Sequence, residues 1–269
     1  MDVWPEESVR SKGKNALRGV DMSGCSRSIV LAVLVLAAAT QTAGAMAPVE
    51  ILQAVEDTLN APADREVHLS MTLIDAEGGT KTRELSILQK DKDKRLIRFL
   101  SPADVRGVGF LALEDDLMYI YMPAFAKVRR IASHVKNENF MGTDFTYDDM
   151  AQTDYVKNYT PALKEETDSH FVLELVPDEK SEIDYSRLVM WVDKTTMLPD
   201  KVEFYDRPGL LLKTMTQTDV RRIDGYLTPH HIEMEDIQEK HKTIMDLKDV
   251  VHDQSIPDKQ FTQRHLKRF

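Results

Sequence analysis

Residues 66–73 read EVHLSMTL, and this stretch decides the fold class. Polar residues alternate in it with apolar ones, which are Val67, Leu69, Met71 and Leu73. Successive side chains of a strand point to opposite faces of a sheet, so this period of two predicts a half-buried antiparallel strand. The Gly78-Gly79 turn signal and a second alternating run at 81–89 extend the pattern to a hairpin.

Similar strand-like runs continue along the chain, separated by turn signals such as Pro208-Gly209 and Asp224-Gly225. They cover 94–100, 109–114, 117–122, 169–176, 184–193, 201–206, 210–220, 226–238 and 242–251. Ahead of all of them, PVEILQAVEDTL at 48–59 has apolar residues at steps of three and four, which predicts an amphipathic helix. About ten strands and one N-terminal helix predict a mainly β domain over 46–269, built as one curved antiparallel sheet or barrel.

The first 45 residues have the organisation of a secretory signal peptide. The apolar run IVLAVLVLAAA at 29–39 follows basic residues and precedes Ala43-Gly44-Ala45, a small-residue cleavage site. This run is short for a bilayer-spanning helix, which needs about 20 residues. We therefore predict cleavage after Ala45 and export to a bacterial periplasm, with the translation start at Met1 or Met22. An uncleaved membrane anchor is the alternative.

Composition and missing motifs argue against several function classes. The formal charge of −10 argues against nucleic-acid binding, because phosphate backbones attract clustered Lys and Arg. The only cysteine, Cys25, leaves with the signal peptide, so disulfides and thiol chemistry are not expected. No nucleophile elbow, zinc-protease motif or P-loop occurs, and His230 and His231 are neighbours whose side chains point to opposite faces of a strand. We expect no metal, no cofactor and no enzyme activity, and a hydrolase using Asp115-Asp116 or Asp148-Asp149 is the alternative.

Three blocks in the middle of the chain are distinctive in their order. They are RFLSPADVRGVGFL at 98–111, MYIYMPAFAKVRRI at 118–131 and NFMGTDFTYDDM at 139–150, with LPDKVEFY following at 198–205. Over about residues 65–265 the chain resembles the outer-membrane lipoprotein-sorting proteins, the LolA-like periplasmic carriers. The resemblance implies an unclosed, or half, antiparallel β-barrel with short helices over its open side. It also implies an apolar groove for acyl chains on the concave face.

The strands carry more apolar residues than one small core requires, which favours a ligand-binding interior. Several strands are apolar on both faces, and methionine, which is flexible and polarisable, stands where β-branched residues are usual. Candidate groove residues are Val67, Leu69, Met71, Leu73, Phe99, Phe110, Met118, Ile120, Met122, Leu173, Met190 and Phe204. The alternative is that these residues only fill the core beneath the helix.

The interval 123–160 interrupts the strands, and we expect a loop there with one short helix over 147–152. Candidate lid or mouth residues in it are Phe125, Arg129, Arg130, Phe140, Phe145 and Tyr147. We expect part of 123–150 to cover an empty groove and to withdraw when an acyl chain enters, with Gly142 supplying backbone freedom. A fixed edge loop is the alternative. The basic residues of the mouth, together with Arg106 and Lys127, are candidates for meeting a phosphate or carboxylate head group, or they are solvated loop charges.

The residues and the resemblance together predict a monomeric periplasmic carrier that binds acyl chains and transfers them toward the outer membrane. The expected ligand is a lipid or a lipidated protein. The expected partners are an inner-membrane transporter as donor and an outer-membrane acceptor. The alternative function is a lipid-sensing or adaptor domain that uses the same scaffold to regulate a membrane partner.

Overall fold

The computed structural model describes residues 46–151 and 154–268. The signal peptide and the cleavage site that the sequence predicts in residues 1–45 lie outside this range. Within the described part of the chain, no helix is both long enough and apolar enough to cross a membrane.

The N-terminal helix α1 spans Pro48–Leu59, as the sequence predicts. Proline suits the first position of a helix, because the N–H that it lacks would have no partner there. The Glu50 carboxylate accepts the N–H of Ala47 at 2.8 Å and so satisfies a donor at the start of the helix. The buried apolar face consists of Ile51, Leu52 and Val55.

In the described part of the chain, thirteen strands follow and form one antiparallel sheet. Their bounds are β1 Asp64–Ile74, β2 Thr80–Lys90, β3 Lys94–Ser101, β4 Gly109–Leu113, β5 Leu117–Met122, β6 Lys127–Arg130, β7 Tyr159–Glu166, β8 His170–Pro177, β9 Arg187–Asp193, β10 Pro199–Tyr205, β11 Leu211–Ile223, β12 Tyr226–Asp236 and β13 His241–His252. Short helices in the described range are α2 Tyr147–Ala151, α3 Tyr155–Asn158 and α4 Gln263–Leu266.

The strand order is β6-β5-β4-β3-β2-β1-β13-β12-β11-β10-β9-β8-β7, so β1 and β13 meet in the middle of the sheet. Strands β6 and β7 are the two edges and do not pair with each other, so the sheet is not closed into a barrel. The predicted class, a mainly β fold built on an unclosed antiparallel sheet, is therefore confirmed.

The sequence predicts too few strands in the interval 123–160. Strands β6 and β7 begin where we expected a loop, and α3 adds a second short helix to the one expected. Both strands are sheet edges that pair on one side only, and most of their side chains are exposed. They consequently lack the apolar alternation that marks half-buried strands. The helix expected over 147–152 is present as α2, and Gln152 lies outside the described residues.

The sheet buries apolar side chains on both of its faces. We call the face that packs against α1 the inner face, and it carries the main apolar cluster, which includes Met71, Leu85 and Phe99. The outer face of the β2–β5 region carries a second cluster. The C-terminal segment, residues 253–268, contributes Ile256, Phe261 and Leu266 to that second cluster.

Packing of the C-terminal segment depends on Gly109 in β4. A Cβ atom at this position would lie 2.6 Å from Cδ1 of Leu266, so a larger residue would require the Leu266 side chain to shift. Arg98 of β3 donates to the backbone carbonyls of His265, at 2.7 Å, and Arg268. These contacts explain why the run at 109–114 is apolar on both faces.

Candidate functional site

The twelve predicted groove residues lie on the inner face of the sheet. Eleven of them are buried in the main cluster, and Met122 is partly buried against it. We call this set the apolar floor: Val67, Leu69, Met71, Leu73, Phe99, Phe110, Met118, Ile120, Met122, Leu173, Met190 and Phe204. The structure brings these residues together from seven strands. That they contact a ligand stays a prediction.

Residues 137–151, which we call the covering segment, pack onto the apolar floor. The predicted lid residues Phe140, Phe145 and Tyr147 are all buried in the same cluster. The ring centroid of Phe140 lies 5.8 Å from that of Phe99 and 5.3 Å from that of Phe110. An aromatic ring of the chain itself therefore fills the space over two floor residues.

The other three predicted mouth residues lie apart from this cluster, at the edge strand β6. Phe125 is 59% exposed, and the guanidinium of Arg129 lies 5.8 Å from the centroid of its ring. Arg130 is exposed and lines a cleft of about 1100 Å³, whose walls carry charges of both signs, including those of Lys136 and Glu182. The structure does not place these three residues against the floor. Arg106 and Lys127 are exposed as well.

Two arginines on the inner face of the sheet donate hydrogen bonds to the backbone of the covering segment. The sequence analysis did not single them out. Nη1 of Arg83 in β2 donates to the carbonyl of Met141 at 2.8 Å. Nη1 of Arg95 in β3 donates to the carbonyl of Met150 at 2.7 Å. Hydrogen bonds from charged donors are stronger than neutral ones, and these two act near opposite ends of the segment.

A buried carboxylate fixes the middle of the covering segment. Asp144 is 2% exposed, and its carboxylate accepts the hydroxyl of Thr243 at 2.6 Å and lies 2.9 Å from Nδ1 of His241. Its N–H donates to the Thr243 hydroxyl oxygen at 3.0 Å. Nζ of Lys213 donates to the Asp144 carbonyl at 2.7 Å. The segment is thus attached to β13 and β11 through polar contacts and to the floor through aromatic ones.

The backbone turns back on itself between Phe140 and Phe145. The N–H of Phe140 donates to the carbonyl of Phe145 at 2.7 Å, which closes the turn. Met141 and Gly142 in the turn have φ values of 52° and 76°. Glycine adopts this left-handed region at little cost, whereas methionine does so rarely. Gly142 therefore suits the conformation of this turn, and the backbone freedom that we expect it to give a moving lid stays a prediction.

The carboxylate pairs considered for hydrolysis lie in a turn and at the start of a helix. Asp115 and Asp116 occupy the turn between β4 and β5 with positive φ values. Asp149 accepts the N–H of Thr146 at 2.8 Å, and its own N–H donates to the Thr146 hydroxyl at 2.9 Å, a reciprocal cap at the start of α2. Among the described residues, no group of three or more His, Cys, Asp and Glu side chains is placed to hold a metal ion.

A row of polar side chains crosses the inner face beside the apolar floor. Oε1 of Gln89 accepts Nε and Nη2 of Arg65, at 3.0 and 2.7 Å, and Nη2 of Arg95 at 2.9 Å. Desolvation lowers the pKa of Arg65 to about 10. Desolvation and the charge of Arg65 lower the pKa of Arg95 to about 9. Both guanidinium groups therefore remain protonated near neutral pH but are held in an unfavourable environment.

His252 pairs in register with Arg65 and belongs to this row. It makes the stability of the folded protein depend on pH. Desolvation and then the charge of Arg65 lower the pKa of His252, so the folded protein holds it neutral where the unfolded chain binds a proton. Stability is then lost as pH falls below 6.5, the ordinary histidine value, toward the folded pKa. We expect His252→Gln to reduce the loss in unfolding free energy on acidification, measured by urea denaturation across this range. A loss of unfolding free energy on acidification that is as large in His252→Gln as in the wild type would contradict this assignment.

Comparisons with known proteins support the fold and identify the family. A family model described as "Uncharacterized protein" matches residues 91–268. The crystal structure of an outer membrane lipoprotein-sorting protein domain from Vibrio parahaemolyticus is 31% identical, with a TM-score of 0.71, and the match covers 81% of this chain and 98% of that one. A DUF1329 family protein from Desulfovibrio piger is 29% identical, with a TM-score of 0.76, and the match covers 82% of this chain and all of that one. No curated protein matched.

A third solved structure agrees in fold. A LolA superfamily protein from Nitrosomonas europaea has a TM-score of 0.70 at 23% identity, over 82% of this chain and all of that one. The open sheet, the covered inner face and these matches show that this chain has a LolA-like fold. The chain belongs to the family of outer membrane lipoprotein-sorting proteins, and its fold is LolA-like.

Proposed function

We propose that this protein is a periplasmic carrier that binds acyl chains of lipids or lipoproteins on its apolar floor and transfers them toward the outer membrane. Its family membership supports this function. The observation that carries the proposal is the position of Phe140. Its ring lies on the floor, in a segment held by side-chain contacts rather than by pairing with the sheet. Such a segment can withdraw as one unit and leave an apolar surface for a ligand.

A carrier must bind its ligand and also release it, and the covering segment helps to meet both requirements. Each buried methylene contributes about 0.8 kcal/mol, so a chain of about sixteen carbons contributes on the order of 10 kcal/mol. A carrier that retained all of this free energy would not release its ligand. Displacing the covering segment costs free energy, because its aromatic and polar contacts are lost, and this cost lowers the net affinity. An acceptor with a better apolar site then removes the ligand.

We also propose the route to the periplasm and the partners there. Residues 1–45 act as a signal peptide, cleavage after Ala45 leaves one domain over 46–269, and the mature carrier is a monomer. An inner-membrane transporter loads it and an outer-membrane acceptor unloads it. Sequencing the N-terminus of periplasmic material tests the first step. We expect Met46 as the first residue, and retention of 29–39 would contradict cleavage.

Mass spectrometry of organic extracts of the purified protein tests the function directly. We expect co-purified phospholipid or lipoprotein in these extracts. A transfer assay between donor and acceptor vesicles then separates the carrier from a lipid-sensing adaptor, because only a carrier moves lipid between membranes. Empty protein that turns over a soluble substrate would instead favour the hydrolase.

Met122 offers a test of the floor that preserves the fold. It lies at the end of β5 and is only partly buried, so Met122→Glu places a charge beside the acyl chain while retaining access to water. We expect severalfold less co-purified lipid and a nearly unchanged unfolding midpoint. Val251→Glu is the control, because Val251 is 42% exposed on β13, and it should retain the wild-type amount of lipid. Equal amounts of co-purified lipid in both variants would show that Met122 does not line the site.

A further inference from the structure

The polar row crosses the inner face at the end of the apolar floor. Arg65 on β1 lies in register with His252 on β13 and with Gln89 on β2, and Gln89 lies in register with Arg95 on β3. The next inward position of β1 is Val67, a buried floor residue. Inward positions repeat every second residue, so the row lies about 7 Å from the floor along the strand. A ligand on the floor would therefore reach the row with one of its ends.

The two positive charges of this row share a single neutral oxygen. Three N–H groups of Arg65 and Arg95 point to Oε1 of Gln89. Neither guanidinium has an ion-pair partner among the carboxylates that the structure describes. The Glu56 carboxylate, whose charge acts on Tyr155 as that of Arg95 does, has partners of its own, because it accepts the N–H of Val156 at 2.9 Å and lies 3.4 Å from Nζ of Lys92.

The donors of Arg95 are only partly satisfied by the protein. Its Nε is buried without a hydrogen-bond partner, and its Nη1 depends on the carbonyl of Met150 at the end of the covering segment. When the segment withdraws, Arg95 loses that carbonyl as well. Partly buried cations with unmet donors are costly unless an anion reaches them. The row therefore needs an acceptor most in the state in which the floor is open.

We propose that Arg65 and Arg95 bind the phosphate head group of an anionic amphiphile whose acyl chain lies on the apolar floor. This inference rests on the proposed function and adds the chemistry of the ligand's polar end. A phosphate has enough oxygens to accept from both guanidinium groups, and one of them replaces the Met150 carbonyl at Nη1 of Arg95. The head group and the covering segment then compete for the same donor, so binding of the head group favours opening.

Calorimetry with two soluble amphiphiles of equal acyl chain tests the site. The probes are lysophosphatidic acid and the uncharged monoacylglycerol, with inorganic phosphate as a third arm. We expect the wild-type protein to bind the lysolipid at least about tenfold more tightly than the monoacylglycerol. Arg65→Gln and Arg95→Gln should each lower lysolipid affinity about tenfold and leave monoacylglycerol affinity unchanged or improved. Arg95→Lys should retain most of the preference.

Arg98→Gln is the matched control, because Arg98 lies on the same strand as Arg95 and its guanidinium binds the C-terminal segment on the outer face. It should keep the preference for the lysolipid. Monoacylglycerol binding shows in each variant that the protein is folded. Equal affinity of the wild-type protein for both amphiphiles, or a preference that survives both Gln variants, would overturn the site while the proposed function stands.

Two further results would also be decisive. If neither amphiphile binds the wild-type protein, the site and the proposed function both fail. If inorganic phosphate binds through the two arginines and the lysolipid binds no more tightly, the site takes a free anion and the head-group assignment is wrong.

Discussion

Replacing Phe140 with alanine should destabilise the empty protein and at the same time increase its affinity for an acyl ligand. The ring is fully buried, and its centroid lies 5.2 Å from that of Tyr147 and 5.3 Å from that of Phe110. Phe→Ala substitutions in well-packed cores cost about 3–5 kcal/mol, and we expect a loss of unfolding free energy in that range. Because the ring must leave before a chain enters, its removal lowers the cost of opening. Each 1.4 kcal/mol so removed raises affinity about tenfold.

Urea denaturation and calorimetry with palmitate measure the two effects of Phe140→Ala. Phe261→Ala is the control, because Phe261 is 4% exposed in the outer cluster and does not contact the floor. It should lose a similar amount of stability and bind palmitate like the wild type. If Phe140→Ala weakens palmitate binding instead, Phe140 belongs to a permanent core and the covering segment does not open.

Replacing Asp144 with alanine should release the covering segment in the absence of ligand. The substitution leaves the hydroxyl of Thr243, which is 0% exposed, without its carboxylate partner and leaves His241 unpaired. Hydrogen bonds to charged groups contribute about 1.5–3 kcal/mol each, so we expect unfolding free energy to fall by roughly 3 kcal/mol. We also expect palmitate to associate several times faster in stopped-flow measurements, because a larger fraction of the protein is open.

Asp193→Ala provides the matched comparison. The Asp193 carboxylate also accepts several hydrogen bonds, from the N–H groups of Thr195 and Thr196 at 3.0 and 2.8 Å, but it lies at the end of β9, before the turn to β10. Asp193→Ala should lower the unfolding free energy without changing the rate at which palmitate associates. A wild-type association rate in Asp144→Ala would show that Asp144 does not restrain entry of the ligand.

The sequence predicts those elements that have a local signal, such as a hydrophobic period or a residue typical of a helix end. Helix α1 has both an amphipathic period and a proline at its first position, and its bounds match the prediction. Strand β1 has one buried face, so its alternation is complete. The edge strands β6 and β7 were not predicted because neither has a buried face to impose a period on KVRR or YTPALKEE. Their identity depends on the neighbouring strand that they pair with.

The polar half of the candidate site was not predictable for a different reason. Strand parity places Arg83 and Arg95 on the inner face, two residues from Leu85 and Ile97, and this signal was available. Their partners, the carbonyls of Met141 and Met150, are more than fifty residues away in the chain. A backbone carbonyl has no signature in the sequence, so only the tertiary structure shows what these arginines hold.

Hydrogen exchange of the covering segment, with and without palmitate, tests the central claim most directly. In the empty protein the N–H groups of Phe140, Asp144 and Tyr147 donate to Phe145, Thr243 and Glu138, respectively, and should exchange slowly. Once palmitate is bound, we expect residues 137–151 to exchange faster while β1 and β13 stay protected. Unchanged exchange of 137–151 in protein that calorimetry shows to be saturated with palmitate would contradict the account.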